Sequence, residues 1–203
     1  MTESNTTEIP RIARESLLLE HLQLEGAQVI DIGCGEGWLT QLMAPETRRV
    51  IGIDPSVTAL ERANAAKKTT NELFILASAD HLPLDSGWAD IAIYYNSLHH
   101  VPAALQRKAL KETVRVLADG GLLCVVEPVA SGSAYELFKP VDDETAVYAA
   151  TYKLILEAVS SNVFQQELEE LFIDDYTYRD FEQFLDNVRH VFLPEGRTQD
   201  LAY

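Results

Sequence analysis

Residues 29–40 constrain the fold most strongly, because a short β-branched strand runs directly into a glycine-rich turn and then into a helix. The segment reads Val-Ile-Asp-Ile-Gly-Cys-Gly-Glu-Gly-Trp-Leu-Thr. Val29, Ile30 and Ile32 suit a central parallel strand that is covered on both faces. Glycine lacks a Cβ, so the turn lets a ligand lie against main-chain atoms, and the helix that follows offers unpaired N–H groups. We therefore expect a ligand site at the carboxyl end of this strand.

The spacing of the glycines discriminates between ligands. A dinucleotide-binding turn places its third glycine three positions after the second. Here Trp38 occupies that position and the third glycine is Gly37. This spacing disfavours a nicotinamide-dependent oxidoreductase. An acidic residue, Asp31, also stands two places before Gly33, at the end of the strand.

With Asp31 included, the turn resembles the first motif of the class I S-adenosylmethionine-dependent methyltransferases, Asp/Glu-x-Gly-x-Gly-x-Gly. The resemblance extends over about residues 10–128. It implies S-adenosylmethionine as the cofactor and S-adenosylhomocysteine as the product. It further implies that Asp31 orients the amino group of the cofactor and that the turn contacts its methionine part. The turn residues concerned are Gly33, Cys34, Gly35 and Gly37.

Two further segments extend the predicted cofactor site. A second strand over 49–53 ends at Asp54-Pro55, and Asp54 lies 21 positions after Gly33. At that spacing a carboxylate on the neighbouring strand meets the ribose hydroxyls; a simple turn aspartate is the alternative. After the third strand, Asp80 and His81 resemble a later family motif. The resemblance implies that Asp80 accepts from the adenine amine and that the backbone of His81 reaches a ring nitrogen, with a solvated loop as the alternative.

The fourth strand is followed by Asn96-Ser-Leu-His-His-Val, which resembles the small-molecule members of the family. We assign Asn96 to the cofactor site. His99 or His100 is a candidate general base, or the two histidines pack the loop against the next helix. Adjacent histidines point in different directions, and no third ligand lies at a recognisable spacing, so we predict no metal ion. Glu127, at the end of the fifth strand, faces the substrate or is a solvated strand end.

Strands that alternate with helices predict parallel strands joined by right-handed crossovers. The predicted fold class is therefore α/β, with a doubly wound, mainly parallel sheet of the Rossmann-like methyltransferase type. We expect one domain over 1–203, with residues 1–8 disordered, a cofactor-binding core over 10–128 and an acidic, helical substrate cap over 129–203. The remaining elements expected are helices over 10–24, 102–117, 141–160 and 180–191, a turn at 118–121, a fifth strand over 122–126 and a sixth near 171–178.

The charge of the chain restricts its partners. It has 16 Lys and Arg against 32 Asp and Glu, a net charge of −16, and no basic cluster. Nucleic acid binding depends on cations that meet phosphates, so a nucleic acid substrate is disfavoured and a small-molecule acceptor is favoured. No apolar run is long enough to span a bilayer and no secretory signal is present, so we expect a cytoplasmic protein. The sequence carries no signal for the oligomeric state.

The sequence therefore predicts in-line transfer of a methyl group from S-adenosylmethionine to a small molecule. Alignment of donor and acceptor in a dry pocket can supply most of the acceleration in such a displacement. The alternative is a non-catalytic, methyltransferase-like protein that binds the cofactor or a protein partner and acts in regulation, with the acidic C-terminal region as its contact surface.

Overall fold

The computed structural model of the protein describes residues 9–175 and 177–192. The chain divides into two compact units, one made of residues 1–18 with 170–203 and the other of residues 19–169. The disorder expected for residues 1–8 falls outside the described residues. The whole predicted site lies in the second unit.

Five strands form one sheet, and seven α-helices are described with it. The strands are β1 (Gln28–Ile32), β2 (Arg49–Asp54), β3 (Glu72–Leu76), β4 (Ala89–Tyr95) and β5 (Leu117–Val126). The helices are α1 (Arg14–His21), α2 (Trp38–Met43), α3 (Val57–Ala66), α4 (Ala103–Val116), α5 (Ser133–Phe138), α6 (Thr145–Ser160) and α7 (Phe181–Phe192).

The sheet is parallel throughout, with the strand order β3-β2-β1-β4-β5. The order reverses at β1, which pairs with β2 on one side and β4 on the other. In open sheets of this kind ligands bind outside the carboxyl ends of the strands at such a reversal. The predicted doubly wound α/β fold is confirmed.

The core forms where the sequence is most apolar. Ile30 and Ile32 on β1 and Tyr94 on β4 are fully buried and pack in one cluster with residues of β2 and of the helices. The Tyr94 hydroxyl hydrogen-bonds Thr113 on α4 at 2.9 Å, so its polar atom is satisfied inside the core. Burial on both faces explains why these strands read as continuous β-branched runs rather than as alternating patterns.

The connection from β3 to β4 differs from the predicted alternation of strands and helices. Residues 77–88 form turns and irregular backbone without a helix. Arg115 on α4 holds this loop by donating to the carbonyls of Leu82 and Leu84 at 2.8 and 2.7 Å. The chain therefore crosses from the sheet edge to β4 on a loop that side chains stabilise.

The start of β5 is a second correction. The helix predicted over 102–117 corresponds to α4, but no separate turn follows it at 118–121, because β5 begins at once at Leu117. Leu117 pairs with Ala89, and the next pair joins Leu122 to Ile91. The predicted turn is therefore a bulge inside the strand, with Gly120 at φ +75°.

The C-terminal region is helical as expected, but its predicted strand is not found among the described residues. The helices predicted over 141–160 and 180–191 correspond to α6 and α7, whereas α1 is shorter than the predicted 10–24. Near residue 171 there is only an isolated bridge between Arg11 and Ile173. The helices of the described residues are too short or too polar to cross a lipid bilayer.

Candidate active site at the carboxyl ends of β1 and β4

The glycine turn is fixed by the neighbouring strand. The N–H groups of Gly33 and Cys34 both donate to the carbonyl of Ile53 at the end of β2, at 2.7 and 3.0 Å. Gly37, whose Cα lies against the ring of Phe74, then leads into α2. The turn is thereby held over the carboxyl ends of β1 and β2, as the sequence predicts.

Two glycines of the turn serve different purposes. Gly33 has φ +78°, and a Cβ there would lie 2.5 Å from the Cβ of Ser97. Gly35 has φ +53°, but a Cβ there would meet nothing within 4 Å. The protein itself requires glycine at position 33 because β1 and β4 approach closely there, whereas the space over Gly35 is open to a ligand.

Asp31 is a buried carboxylate beneath this turn. It is 1% exposed, and the hydroxyl of Thr40 donates to its Oδ2 at 2.7 Å. Burial raises the pKa of Asp31 to about 6, the Thr40 hydrogen bonds oppose that rise, and the negative charge of Asp54 adds to it. Burial and then the same two carboxylates also raise the pKa of the Cys34 thiol, so this cysteine stays protonated at neutral pH.

The raised pKa of Asp31 makes the stability of the protein depend on pH. The folded state holds the Asp31 proton more tightly than the unfolded state, so this carboxyl costs nothing below pH 4. Its cost grows between about pH 4 and pH 6 and stays constant above that, where Asp31 is ionised in both states. The Asp31→Asn variant lacks this pH-dependent cost. Its free energy of unfolding, relative to that of wild type, should therefore rise by about 1 to 1.5 kcal/mol between pH 5 and pH 7.5. Urea unfolding at the two pH values measures the change, with the exposed Asp119→Asn as a charge-matched control. Parallel pH profiles for wild type and Asp31→Asn would contradict the raised pKa.

Asp54 joins the turn to the tip of β2. Its Oδ2 accepts from the N–H of Gly35 at 2.9 Å, and its Oδ1 accepts from the N–H of Ser56 at 2.8 Å. Pro55 is exposed between them, and the Ser56 hydroxyl caps α3. Each oxygen of the carboxylate has a further lone pair. Asp54 can therefore accept two ribose hydroxyls without giving up its backbone bonds.

Asp80 and His81 lie in the loop after β3, and their contacts run to that loop and to α4 rather than to the glycine turn. Ser78 and Lys108 donate to Asp80 at 2.7 and 2.9 Å, and the Lys108 bond followed by the Ser78 bond lowers the pKa of Asp80. Lys108 is exposed, and solvent screens an ion pair of this kind, so a ligand can displace it. The N–H of His81 donates to the carbonyl of Ser78 at 3.0 Å. The predicted adenine contact of His81 would have to share this N–H.

The segment after β4 is anchored to the glycine turn. Asn96 is exposed, adopts φ +49°, and donates its N–H to Val126 on β5 at 2.8 Å. The hydroxyl of the next residue, Ser97, donates to the carbonyl of Ile32 at 2.6 Å. Ser97 therefore connects the histidine segment to the strand that carries the turn.

His99 is a buried, oriented imidazole. Its side chain is 3% exposed, and its Nδ1 forms a hydrogen bond with Oε2 of Glu127 at the end of β5. The other oxygen of Glu127 accepts from the N–H of Leu98 at 2.9 Å. With a carboxylate as acceptor the Nδ1 of His99 carries the proton, so its Nε2 presents a lone pair.

The Nε2 side of His99 is lined by residues that are distant in sequence. Oε1 of Glu144, which precedes α6, lies 4.0 Å from Nε2, and the hydroxyl of Tyr148 donates to Oε2 of the same carboxylate. The ring of Tyr148 meets His99 edge-on, with centroids 5.0 Å apart. The His100 ring lies 4.0 Å from the His99 ring. Partial burial of the ring, followed by the electrostatic effect of His99, lowers the pKa of His100. The residue as a whole is nevertheless exposed.

The sequence reasoning missed Glu144, Ser97 and Thr40. Their signals are weak, because Thr40 lies nine positions from its partner Asp31 and no spacing rule relates Glu144 to the histidines. The prediction of no metal ion rested on the lack of a third ligand near the histidines. Glu144 is such a third group, since His99, His100 and Glu144 each offer a ligand atom within 4.8 Å of the others.

The geometry fits the cofactor that the resemblance implies. S-adenosylmethionine carries a positive sulfonium and a positive ammonium group. Asp31 and Asp54 place two carboxylates at one turn, and each raises the pKa of Cys34 through its charge. Gly35, which donates its N–H to Asp54, has open space where a Cβ would lie. A cationic ligand with a ribose is the class that this donor set suits.

Comparison with known proteins gives the same family. Residues 30–125 match the model of a methyltransferase domain family. The chain is 37% identical over 108 residues to the ubiquinone/menaquinone biosynthesis C-methyltransferase UbiE of Campylobacter jejuni, covering 49% of this chain and 44% of that protein. It is 26% identical to a solved S-adenosylmethionine-dependent methyltransferase from Mesorhizobium loti, with a TM-score of 0.51 and coverage of 56% and 52%.

A further solved structure, the YcgJ protein of Bacillus subtilis, shares the fold at 24% identity, with a TM-score of 0.59 and coverage of 71% of this chain and 66% of that one. The chain spans about half of the length of the curated relatives that it matches. Residues 30–125 thus match a methyltransferase domain family, and the chain is similar to S-adenosylmethionine-dependent methyltransferases, whose cofactor the glycine turn and its two carboxylates suit.

Proposed function

We propose that the protein transfers the methyl group of S-adenosylmethionine to a small-molecule acceptor that loses a proton in the reaction. The observation that carries this proposal is the contact of Ser97 with Gly33 and Ile32. It brings the segment with the oriented His99 to the same edge of the sheet as the glycine turn. This contact supports a cofactor site beside a proton acceptor.

On the cofactor side, the turn and its carboxylates hold the ligand. The main chain of Gly33, Cys34, Gly35 and Gly37 lies along the methionine part, Asp31 faces its ammonium group and Asp54 accepts the ribose hydroxyls. Asp80 and the backbone of His81 bind the adenine, and Pro55 and Asn96 border the site. When bound, the cofactor supplies an electrophilic methyl group on a sulfonium. The residues orient it and exclude water, which is the main requirement of an in-line displacement.

On the acceptor side, His99 is prepared to take a proton. Glu127 holds Nδ1–H, which leaves the lone pair of Nε2 directed toward Glu144. When Nε2 accepts the proton of the acceptor, the resulting imidazolium lies between the carboxylates of Glu127 and Glu144. Two neighbouring negative charges stabilise that cation. The proton then passes to solvent, and the methyl group is retained on the acceptor.

The charge of the protein supports a small acceptor. A net charge of −16 opposes binding to the phosphates of a nucleic acid. Glu127, Glu144 and Asp142 all act electrostatically on His100 and Tyr148, so the acceptor side is itself negative. Neutral or cationic small molecules with an acidic O–H, N–H or C–H group are the acceptors that this surface admits.

Calorimetric titration with S-adenosylhomocysteine and, separately, with NAD tests the cofactor assignment. We expect micromolar binding of the former and no binding of NAD. The Gly35→Ala variant should bind S-adenosylhomocysteine roughly tenfold more weakly, because a new methyl group enters the ligand space. Gly26→Ala is the matched control, since Gly26 also has a positive φ, +74°, and open surroundings, so both variants carry the same backbone cost.

Equal binding by Gly35→Ala and wild type would show that the ligand does not lie against the turn. The absence of S-adenosylhomocysteine binding to folded wild-type protein would overturn the proposed function. Release of S-adenosylhomocysteine from S-adenosylmethionine in the presence of a panel of small hydroxyl, amine and acidic C–H acceptors then identifies the acceptor.

A further inference from the structure

We propose that His99, His100 and Glu144 bind a divalent transition metal ion at the acceptor side of the site. The three side chains come from two separate segments, and each offers one ligand atom within 4.8 Å of the other two. Two imidazoles and one carboxylate form a ligand set that suits ions such as Zn²⁺ and Co²⁺ and leaves coordination positions open.

The strongest support is the way in which these ligands are held from behind. A histidine that binds a metal usually donates its other ring N–H to a carboxylate, and a carboxylate ligand is in turn hydrogen-bonded. His99 has this arrangement, since its Nδ1 hydrogen-bonds Glu127 and its Nε2 lies on the side of Glu144. Glu144 has it as well, since Tyr148 donates to Oε2 and leaves Oε1 toward His99. Both inward atoms are therefore oriented by contacts on their far sides.

The distances require only small movements. In a tetrahedral site with metal–ligand bonds of about 2.0 to 2.1 Å, ligand atoms lie ~3.3 Å apart. Nε2 of His99 and Oε1 of Glu144 are 4.0 Å apart, so that edge must close by less than about 1 Å. His99 is packed between Glu127 and Tyr148, whereas the side chain of Glu144 is 26% exposed and His100 is accessible. The two accessible ligands can move onto an ion held at the fixed one.

The local charge also favours a cation. Glu127, Glu144 and Asp142 surround the histidines, and the surrounding electrostatic effects on His100 and Tyr148 come from all three carboxylates. Carboxylates are the charged groups that raise the pKa of both residues. A divalent ion would offset part of this negative charge.

For the reaction, this inference rests on the proposed function and changes the role of His99. A hydroxyl acceptor that coordinates the ion releases its O–H proton to solvent more readily. Its oxygen then forms the new C–O bond as the bond between methyl carbon and sulfur breaks. With the ion bound, Nε2 of His99 is a ligand and not the proton acceptor. Without it, Nε2 is the proton acceptor.

Titration of untagged, chelator-treated protein with Co²⁺ and with Zn²⁺ tests the metal site. We expect one equivalent of Co²⁺ to bind and to give the visible absorption band of Co²⁺ in a site of low symmetry. Zn²⁺ should displace it. Glu144→Gln and His100→Ala should each weaken binding by about 10- to 100-fold or more. Glu157→Gln is the matched control, because Glu157 lies on α6, which follows Glu144, and pairs with Arg107 at the surface. This variant should bind Co²⁺ as wild type does.

Thermal unfolding of every variant reports that the protein is folded, and binding of S-adenosylhomocysteine is measured separately on each. Failure of wild type to bind Co²⁺, or equal Co²⁺ affinity in Glu144→Gln and His100→Ala, with S-adenosylhomocysteine binding intact, would overturn the metal site and leave the proposed function standing. Binding of Co²⁺ that both variants lose, in a protein that does not bind S-adenosylhomocysteine, would support the metal site and overturn the proposed function.

Discussion

Replacing His99 with asparagine is expected to lower turnover by about 100- to 10,000-fold, the usual contribution of a positioned acid or base. The affinity for S-adenosylhomocysteine should not change. The asparagine amide can still donate to Glu127, as Nδ1 of His99 does, but it has no atom in place of Nε2. The variant therefore removes the chemistry and keeps the contact to β5. Steady-state turnover on the first acceptor found in the panel, together with calorimetry, measures the two effects separately.

The control for this substitution is His21→Ala, in α1 and outside the cluster, which should retain full turnover. The turnover of His100→Ala distinguishes the two forms of the site. It should fall if a metal ion is bound by both histidines, and it should be retained if His99 acts alone as proton acceptor. Full turnover in His99→Asn would contradict any part for Nε2 in the reaction, as proton acceptor or as metal ligand.

Replacing Asp54 with alanine is expected to weaken S-adenosylhomocysteine binding by roughly 100- to 1,000-fold, because two hydrogen bonds to a charged carboxylate are lost. The loss of the Asp54 bonds to Gly35 and Ser56 also loosens the turn. Calorimetric titration measures the affinity, and thermal unfolding without ligand shows how much of the loss comes from the turn. The exposed Asp119→Ala serves as the control. An affinity within threefold of wild type would mean that Asp54 is a turn residue only, the alternative left open by the sequence.

The sheet could be predicted from the sequence because its signals are local. A β-branched run that ends in glycine or aspartate marks each of β1 and β2, and the carboxyl ends of parallel strands meet at one edge. The glycine turn and Asp54 therefore came together as expected. The sequence predicts a turn at 118–121, where the structure has a bulge. Gly120 is compatible with either, because turns and bulges both use a glycine with a positive φ.

The acceptor side could not be predicted in the same way. Glu144 approaches His99 only through the packing of the segment before α6, and Tyr148 is placed by the helix that follows. Glu144 lies in an acidic stretch of the sequence, and nothing in that stretch indicates that its side chain faces a buried imidazole. Asp31 illustrates the same limit, since its raised pKa follows from complete burial beneath the turn, a tertiary property.

The strand order has a consequence for how the site comes into being as the chain folds. β1, β2 and β3 are consecutive neighbours, and so are β4 and β5, but the pairing of β1 with β4 joins Gln28 to Asp90, 62 positions apart. Closing so long a loop carries the larger entropic cost, and non-local pairings of this kind slow folding. The glycine turn follows β1 and the histidine segment follows β4, so each belongs to a different half of the sheet. The site is complete only when the two halves have joined, and a ligand that binds across them stabilises the joined state by mass action.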